Sequence, residues 1–468
     1  MVPPPPTADE LAAAIEAEAS ERLRPSEELL ARLALARDRL LERVREAAAR
    51  RQSPLVRAVI AGSAARATFL ADRLDIDLFL LFPPDLTDDR LRDEGLALAR
   101  EVLVDPKRRY AEHPYLRGTF DGFTVDAVPG FAVADPARPR SPVDRTPFHQ
   151  AYLSARETPA LVAEIRLAKQ FLRGLGVYGA EARTEGFSGY LLELLVLAHG
   201  SFRGLLRAAQ GWSIPMRLER PGAEPPRLPA EVALVLADPV DPNRNVASAL
   251  SRRNLGVLVV SARAYLRRPA LDWFDLRPET GLPPVAALER TRQRASEVLV
   301  VRLVRPELVD DTLYPQLRKA ERAIADDLAR AGFRVLASSS AADETALAIT
   351  VELAYGDRPG VRLRDGPPAG LDRAGDFLAS WSGRPDVVLQ GPYVRADGSL
   401  GVETREAERS AERYLSERLP QLSLGRNLSA EAAEVVRLEA AGGSGALAEA
   451  LQGLLGKGLP WPTSARRP

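Results

Sequence analysis

Cysteine is absent from the 468 residues, which excludes a disulfide framework, a thiolate metal site and a cysteine nucleophile. Histidine is scarce: His113, His149 and His199 are too few for a His-rich zinc centre. Any metal chemistry must rest on carboxylates, which favour hard ions such as Mg²⁺. Net charge is also missing, with Lys+Arg and Asp+Glu at 64 each. The chain therefore lacks the overall basic bias of many nucleic-acid binders, although its middle third keeps a mild positive excess compatible with a phosphate-rich partner. Lysine occurs only at Lys107, Lys169, Lys319 and Lys457, a bias that reflects coding composition more than chemistry. No run approaches the roughly 18 uninterrupted apolar residues of a membrane span. The start, Met-Val followed by Pro3–Pro6, has neither the basic nor the apolar region of a secretory signal. A cytoplasmic protein with no membrane association is expected.

What is present is an ordinary globular composition, 46% hydrophobic and 27% charged, long enough for several domains. Thr7-Ala-Asp-Glu10 fits a capping box, and Leu29, Leu33, Ala36, Leu40 and Val44 place a helix after Pro25. Leu55–Ile60 reads as a strand, Gly62-Ser63 as a turn, Ala64–Asp72 as a helix and Leu74–Phe82 as a buried strand ended by Pro83-Pro84. A helix over 88–103 and two strands around Asp121-Gly122 complete an α/β head. Residues 156–212 read as helices, followed by a Pro-rich turn region at Pro215–Pro229. Strand, helix, strand, strand over 297–354 suggests a ferredoxin-like unit. Pro- and Gly-rich loops are expected to about 400, then helical segments broken at Gly442–Gly445.

The strongest chemical constellation is Gly62-Ser63, then Asp75-Ile-Asp77, then Asp126. Acids at i and i+2 on a strand share a face. Two buried carboxylates side by side are costly unless positive charge neutralises them. A pair of divalent ions does so, and Asp126 on another strand would complete the cage. Gly62-Ser63 before a helix start offers N–H groups to phosphate. Singly, each acid reads as a solvated side chain; in this order the set reads as two-metal phosphoryl or nucleotidyl transfer. Arg166, Lys169 and Arg173 form a basic stripe at helical spacing, suited to a triphosphate or else simply solvated. Gly174-Leu-Gly-Val-Tyr-Gly179 spells a dinucleotide fingerprint but follows a helix, so the strand–turn–helix context is missing.

The runs Gly62-Ser-Ala-Ala-Arg-Ala-Thr68 and Asp75-Ile-Asp-Leu-Phe-Leu-Leu-Phe82 resemble class I (archaeal-type) CCA-adding tRNA nucleotidyltransferases. So do Arg109–Tyr115, Val143–His149, Val177–Glu181, Gly186–Tyr190, Asp238–Asp241, Arg244–Ala247 and Val309–Gln316, in the family's order. Gly-Ser with Asp-x-Asp alone marks the whole polymerase-β-like superfamily; the colinear set is specific. The resemblance implies an enzyme that adds or repairs the 3′-terminal CCA of tRNA from CTP and ATP, releasing pyrophosphate. Asp75, Asp77 and Asp126 would hold two Mg²⁺ ions, with Asp126 also orienting the attacking hydroxyl. Gly62, Ser63, Arg66, Lys169 and Tyr178 would meet the triphosphate, and His149 and Arg244 would shape the base pocket. The implied architecture is α/β plus α+β: a polymerase-β-like head over 1–155, a mainly helical neck over 156–285, and a ferredoxin-like body with a tail over 286–468. That last part would bind the tRNA elbow, and a homodimer is a fair expectation. The alternatives are another template-independent RNA nucleotidyltransferase, poly(A)- or oligoadenylate-forming, and a catalytically inert tRNA-binding scaffold.

Overall fold

Thr7 and Glu10 close a reciprocal capping box at the start of α1 (Ala8–Arg22). Ser26 caps α2 (Glu27–Arg50), whose Leu33, Ala36, Leu40, Val44 and Ala47 form one buried stripe. The computed structural model describes residues 7–110, 114–218, 232–277 and 281–466. They fall into two units, 1–278 with 309–311 and 459–468, and 279–308 with 312–458.

The first unit carries a five-stranded sheet: β1 (Arg57–Ala61), β2 (Asp75–Phe82), β3 (Val104–Tyr110), β4 (Pro114–Phe120) and β5 (Phe123–Phe131), in the order β1-β2-β5-β4-β3. Only the β2–β5 pair is parallel. After β1 comes a single helical turn, α3 (Gly62–Arg66), and after β2 comes α4 (Asp88–Val102). α2 and α4 cover the sheet face onto which Ile76, Leu78, Leu80 and Phe82 point. Strand alternation sends Asp75 and Asp77 to the opposite face. Register places Ala61, Asp77, Asp126 and Arg117 in one row across β1, β2, β5 and β4.

Two local expectations fail here. The helix expected over Ala64–Asp72 stops at Arg66, because Ala67 takes a left-handed conformation (φ 56°) and Thr68, Phe69 and Leu70 turn inward to burial. Only a 3₁₀ turn, Ala71–Arg73, follows. β3 was not expected: it is an edge strand containing Pro106, Lys107 and Arg108, features that keep an edge from pairing further.

The rest of the first unit is helical: α5 (Thr146–Ser154), α6 (Pro159–Gly174), α7 (Gly189–His199), α8 (Phe202–Ala209) and α9 (Arg252–Arg267). Phe171, Phe202, Tyr265, Trp273 and Phe274 meet edge-to-face and stacked at its centre. α1 packs with these helices and not with the sheet: Ala19 joins their core, and Arg203 donates to Glu16 at 2.6 Å. The residues near the C-terminus also return here, with Trp461 Nε1 donating to Ser261 Oγ at 2.9 Å. Most of the Pro-rich region at Pro215–Pro229 lies outside the described residues.

The second unit holds an antiparallel sheet of Glu297–Val304, Val335–Ala342, Ala346–Leu353 and Glu434–Arg437, with the long helix Asp310–Ala331 between the first two. Their spatial order is fourth, first, third, second, as in a ferredoxin-like fold. The stretch expected as loops to about 400 instead forms strands Val361–Pro368, Val388–Val394 and Ser399–Arg405 with the helix Arg373–Trp381. Gly442–Gly445 precedes the helix Gly445–Leu455, capped by Ser444, and so does not interrupt one. Among the described residues no helix is long and apolar enough to cross a membrane.

Candidate active site

The acid row is built by close backbone packing. Gly62 has φ 69°, and a Cβ there would stand 1.9 Å from Asp77 Oδ2, so only glycine lets β1 turn beside that carboxylate. Burial, followed by repulsion from Asp126 and Asp75, raises the Asp77 pKa to about 7. Asp126 accepts two bonds from Arg117, at 2.7 and 2.6 Å, and Asp75 accepts one at 3.3 Å. Hydrogen bonding to Asp126 raises the Arg117 pKa further. The three carboxylates thus carry more negative charge than one guanidinium balances.

That excess and the all-oxygen donor chemistry suit divalent cations. As they stand, however, Asp75 and Asp126 face Arg117. Among the described residues no three His, Asp or Glu side chains are gathered at metal-holding spacing. Holding an ion between them requires Arg117 to yield.

A second cluster lies where α6 and α7 meet the segment after α3. Lys169, 3% exposed, donates to Thr68 O at 3.0 Å, to Thr68 Oγ1 at 3.1 Å and to Glu193 Oε1 at 2.7 Å. Thr68 Oγ1 donates to the same Glu193 oxygen at 2.8 Å. Arg66 donates to Glu193, Gln150 and Glu157. Burial opposes the Glu193 charge, but Lys169 and Arg66 outweigh it and hold its pKa below the ordinary value. Glu157 is less well compensated, and burial pushes it up. The basic stripe of α6 is therefore no solvated face. Arg166 donates to Ala67 O at 2.8 Å and Arg173 to Asp72 at 2.7 Å, so all three cations grip residues 67–72.

The third cluster centres on Asp238, which is fully buried. Its Oδ2 pairs with His149 Nε2 at 2.9 Å and accepts from Arg244 at 2.7 Å; its Oδ1 accepts from Tyr190 at 3.0 Å and from the Val240 N–H at 3.0 Å. Burial alone would raise its pKa, yet His149, the Val240 N–H and Arg244 bring it to about 2. His149 and Tyr190 stack with centroids 4.0 Å apart. Burial and the Asp238 carboxylate push the Tyr190 phenol far up, so it stays a donor.

One cavity of about 300 Å³ collects Gly62, Ser63, Arg66, Asp77, His149, Lys169 and Tyr178. Asp75 lines a neighbouring cavity, Asp126 sits behind Asp77 against Arg117, and Arg244 joins only through Asp238. Sequence reasoning missed Arg117, Glu193, Asp238 and Tyr190 as site residues. A signal existed for two of them. Glu193 is the lone charge inside Leu-Leu-Glu-Leu-Leu, and a two-residue turn at Asp121-Gly122 sets Arg117 opposite Asp126.

Residues 41–149 match the nucleotidyltransferase domain, 163–275 the second domain of tRNA nucleotidyltransferases, and 294–438 the C-terminal domain of CCA-adding enzymes. The CCA-adding enzyme of Halobacterium salinarum is 38% identical over 424 residues, 90% of this chain and 92% of its own. The chain belongs to the CCA-adding enzyme family. That of Methanosarcina barkeri is 37% identical over 412 residues, 87% and 89% of the two chains, and that of Methanocaldococcus jannaschii 33% over 380 residues, 78% and 83%. CCA-adding enzymes thus match along head, neck and body alike, and the head has the polymerase-β-like nucleotidyltransferase fold. The matches favour neither a poly(A)- or oligoadenylate-forming enzyme nor an inert scaffold.

Proposed function

We propose that this chain adds or repairs the 3′-terminal CCA of tRNA from CTP and ATP, without a nucleic-acid template and with release of pyrophosphate. The observation that carries this is the Asp77–Asp126 row, with Asp75 beside it, whose Asp77 lines the cavity that also holds Ser63, Arg66 and Lys169. Asp75, Asp77 and Asp126, once Arg117 yields, would hold two Mg²⁺ ions, which would supply Lewis-acid stabilisation of charge at the α-phosphate. Asp126 orients the tRNA 3′-hydroxyl and takes up its proton. Ser63, Arg66, Lys169 and Tyr178 hold the triphosphate beside Gly62; Glu193 anchors Arg66 and Lys169 from behind. His149 and Arg244, both fixed by Asp238, face the base together with Tyr190.

The division of labour is a catalytic head over 1–155, apart from α1, which packs with the neck; a neck over 156–285; and a body with tail over 286–468 that carries the tRNA elbow, its last residues returning to the neck helices. The expected assembly is a homodimer in the cytoplasm. Transcripts ending at the discriminator base, at C and at CC, given labelled CTP or ATP with Mg²⁺, should extend to C, CC and CCA and then stop. Asp77→Ala should do none of this. Long A tails, or tRNA binding without incorporation, would refute the reading.

Asp238→Asn leaves the shape but removes the charge that fixes His149 and Arg244. The KM values for CTP and ATP should rise about tenfold, the cost of losing a charge-assisted bond, and discrimination against UTP and GTP should narrow. Competition assays with mixed nucleotides measure both.

A further inference from the structure

A second polar cavity, of about 340 Å³, adjoins the nucleotide cavity and shares Ser63, Lys169 and Tyr178 with it. Neither His149 nor Tyr190 lines it, and its cations are Arg73, Arg117, Lys169 and Arg173. Three of these are already paired: Lys169 with Glu193 at 2.7 Å, Arg117 with Asp126 at 2.6 Å and Arg173 with Asp72 at 2.7 Å. The exposed Arg73 guanidinium makes no ion pair or hydrogen bond with any described residue. Its backbone is fixed all the same, because it ends the 3₁₀ turn that Arg173 clamps through Asp72.

A nucleotide with its base at His149–Tyr190 and its α-phosphate at the acid row must extend its remaining phosphates past Ser63 and Lys169. That direction leads into the second cavity. We propose that Arg73 is the side chain that grips the β- and γ-phosphates of the incoming nucleotide, and hence the pyrophosphate that leaves. This rests on the nucleotide orientation given above. A guanidinium with a free fork matches phosphate oxygens bidentately and has no internal partner to give up. Arg66 and Lys169, held by Glu193, meet the triphosphate from fixed positions, and Arg73 adds an unpaired cation beyond them.

The test is equilibrium dialysis of ATP, AMP and inorganic pyrophosphate with Ca²⁺, which blocks turnover, on wild type, Arg73→Ala and Arg73→Lys. Because the side chain is exposed and unbonded, these variants fold, as circular dichroism will verify. Arg73→Ala should bind ATP and pyrophosphate about tenfold more weakly and AMP unchanged, with Arg73→Lys in between. Equal loss for ATP and AMP, or no loss at all, overturns the proposal. So does unchanged ATP binding with weakened tRNA binding in a parallel filter assay, since the cavity would then take an RNA backbone phosphate. A wild type that binds ATP yet adds neither C nor A to tRNA would sink the proposed function while leaving the dialysis comparison readable.

Discussion

Asp77→Asn should lower nucleotide addition about 10³-fold or more and yet raise the melting temperature of the metal-free protein at pH 8. The activity loss follows from the proposed role of Asp77 as a ligand to ions whose stabilisation of the transition state amounts to several kcal/mol, at about 1.4 kcal/mol per tenfold. The stability gain follows from linkage. Burial and then the Asp126 and Asp75 charges raise the Asp77 pKa from 3.8 to about 7. The metal-free folded protein therefore holds a proton that the unfolded chain has released. Stability linked to this proton is complete below about pH 4 and is lost as pH rises through 7. Asparagine carries no such charge, so its advantage appears at pH 8 and is small at pH 5. Added Mg²⁺ should raise the wild-type melting temperature more at pH 8 than at pH 6 and do little for the variant. A flat wild-type profile between pH 5 and 8 in EDTA would mean that Arg117 already balances the cluster.

The second large effect is on folding. Glu193→Ala should destabilise the protein by about 3–5 kcal/mol, because it leaves the Lys169 ammonium buried without its anion. Arg66 loses a partner by the same change, and Thr68 loses an acceptor. Adding Lys169→Met to Glu193→Ala should recover a large part of the loss, since the pair removed together leaves no uncompensated charge. Urea denaturation followed through the first unfolding transition measures both variants and the wild type. Equal stabilities for wild type and Glu193→Ala would show that water satisfies Lys169 and that Glu193 is no anchor.

Much of the site was legible because strand geometry is strict. Asp75 and Asp77 had to share a face, and Ile76, Leu78, Leu80 and Phe82, alternating with them, had to turn to α2 and α4. The Thr7–Glu10 capping box and the buried stripe of α2 were legible for the same kind of reason, being local in sequence. What escaped was set by distant partners. The Ala64–Asp72 segment has helical composition, yet Thr68 is claimed by Lys169 and Glu193, more than a hundred residues on. Arg66, Lys169 and Arg173 read as phosphate ligands, but their carboxylate partners on α7 and in the head were invisible to spacing. Arg117 escaped because its role depends on two residues facing each other across a hairpin. The exposed sheet over 361–405 escaped because its strands are short on buried residues and interrupted by Pro and Gly.

α1 lies with the neck helices, whereas α2, only four residues further on, lies on the head's sheet. The chain therefore crosses from neck to head at 23–26 and crosses back between α5 and α6. A body joined by one strand of chain can swivel about a point; a body joined by two can turn only about the line through them. The head is thus tied to the neck at two places, and any rotation between them is confined to the line through the two crossings. The grip of Arg166, Lys169 and Arg173 on residues 67–72 is a third tie, which holds against that rotation.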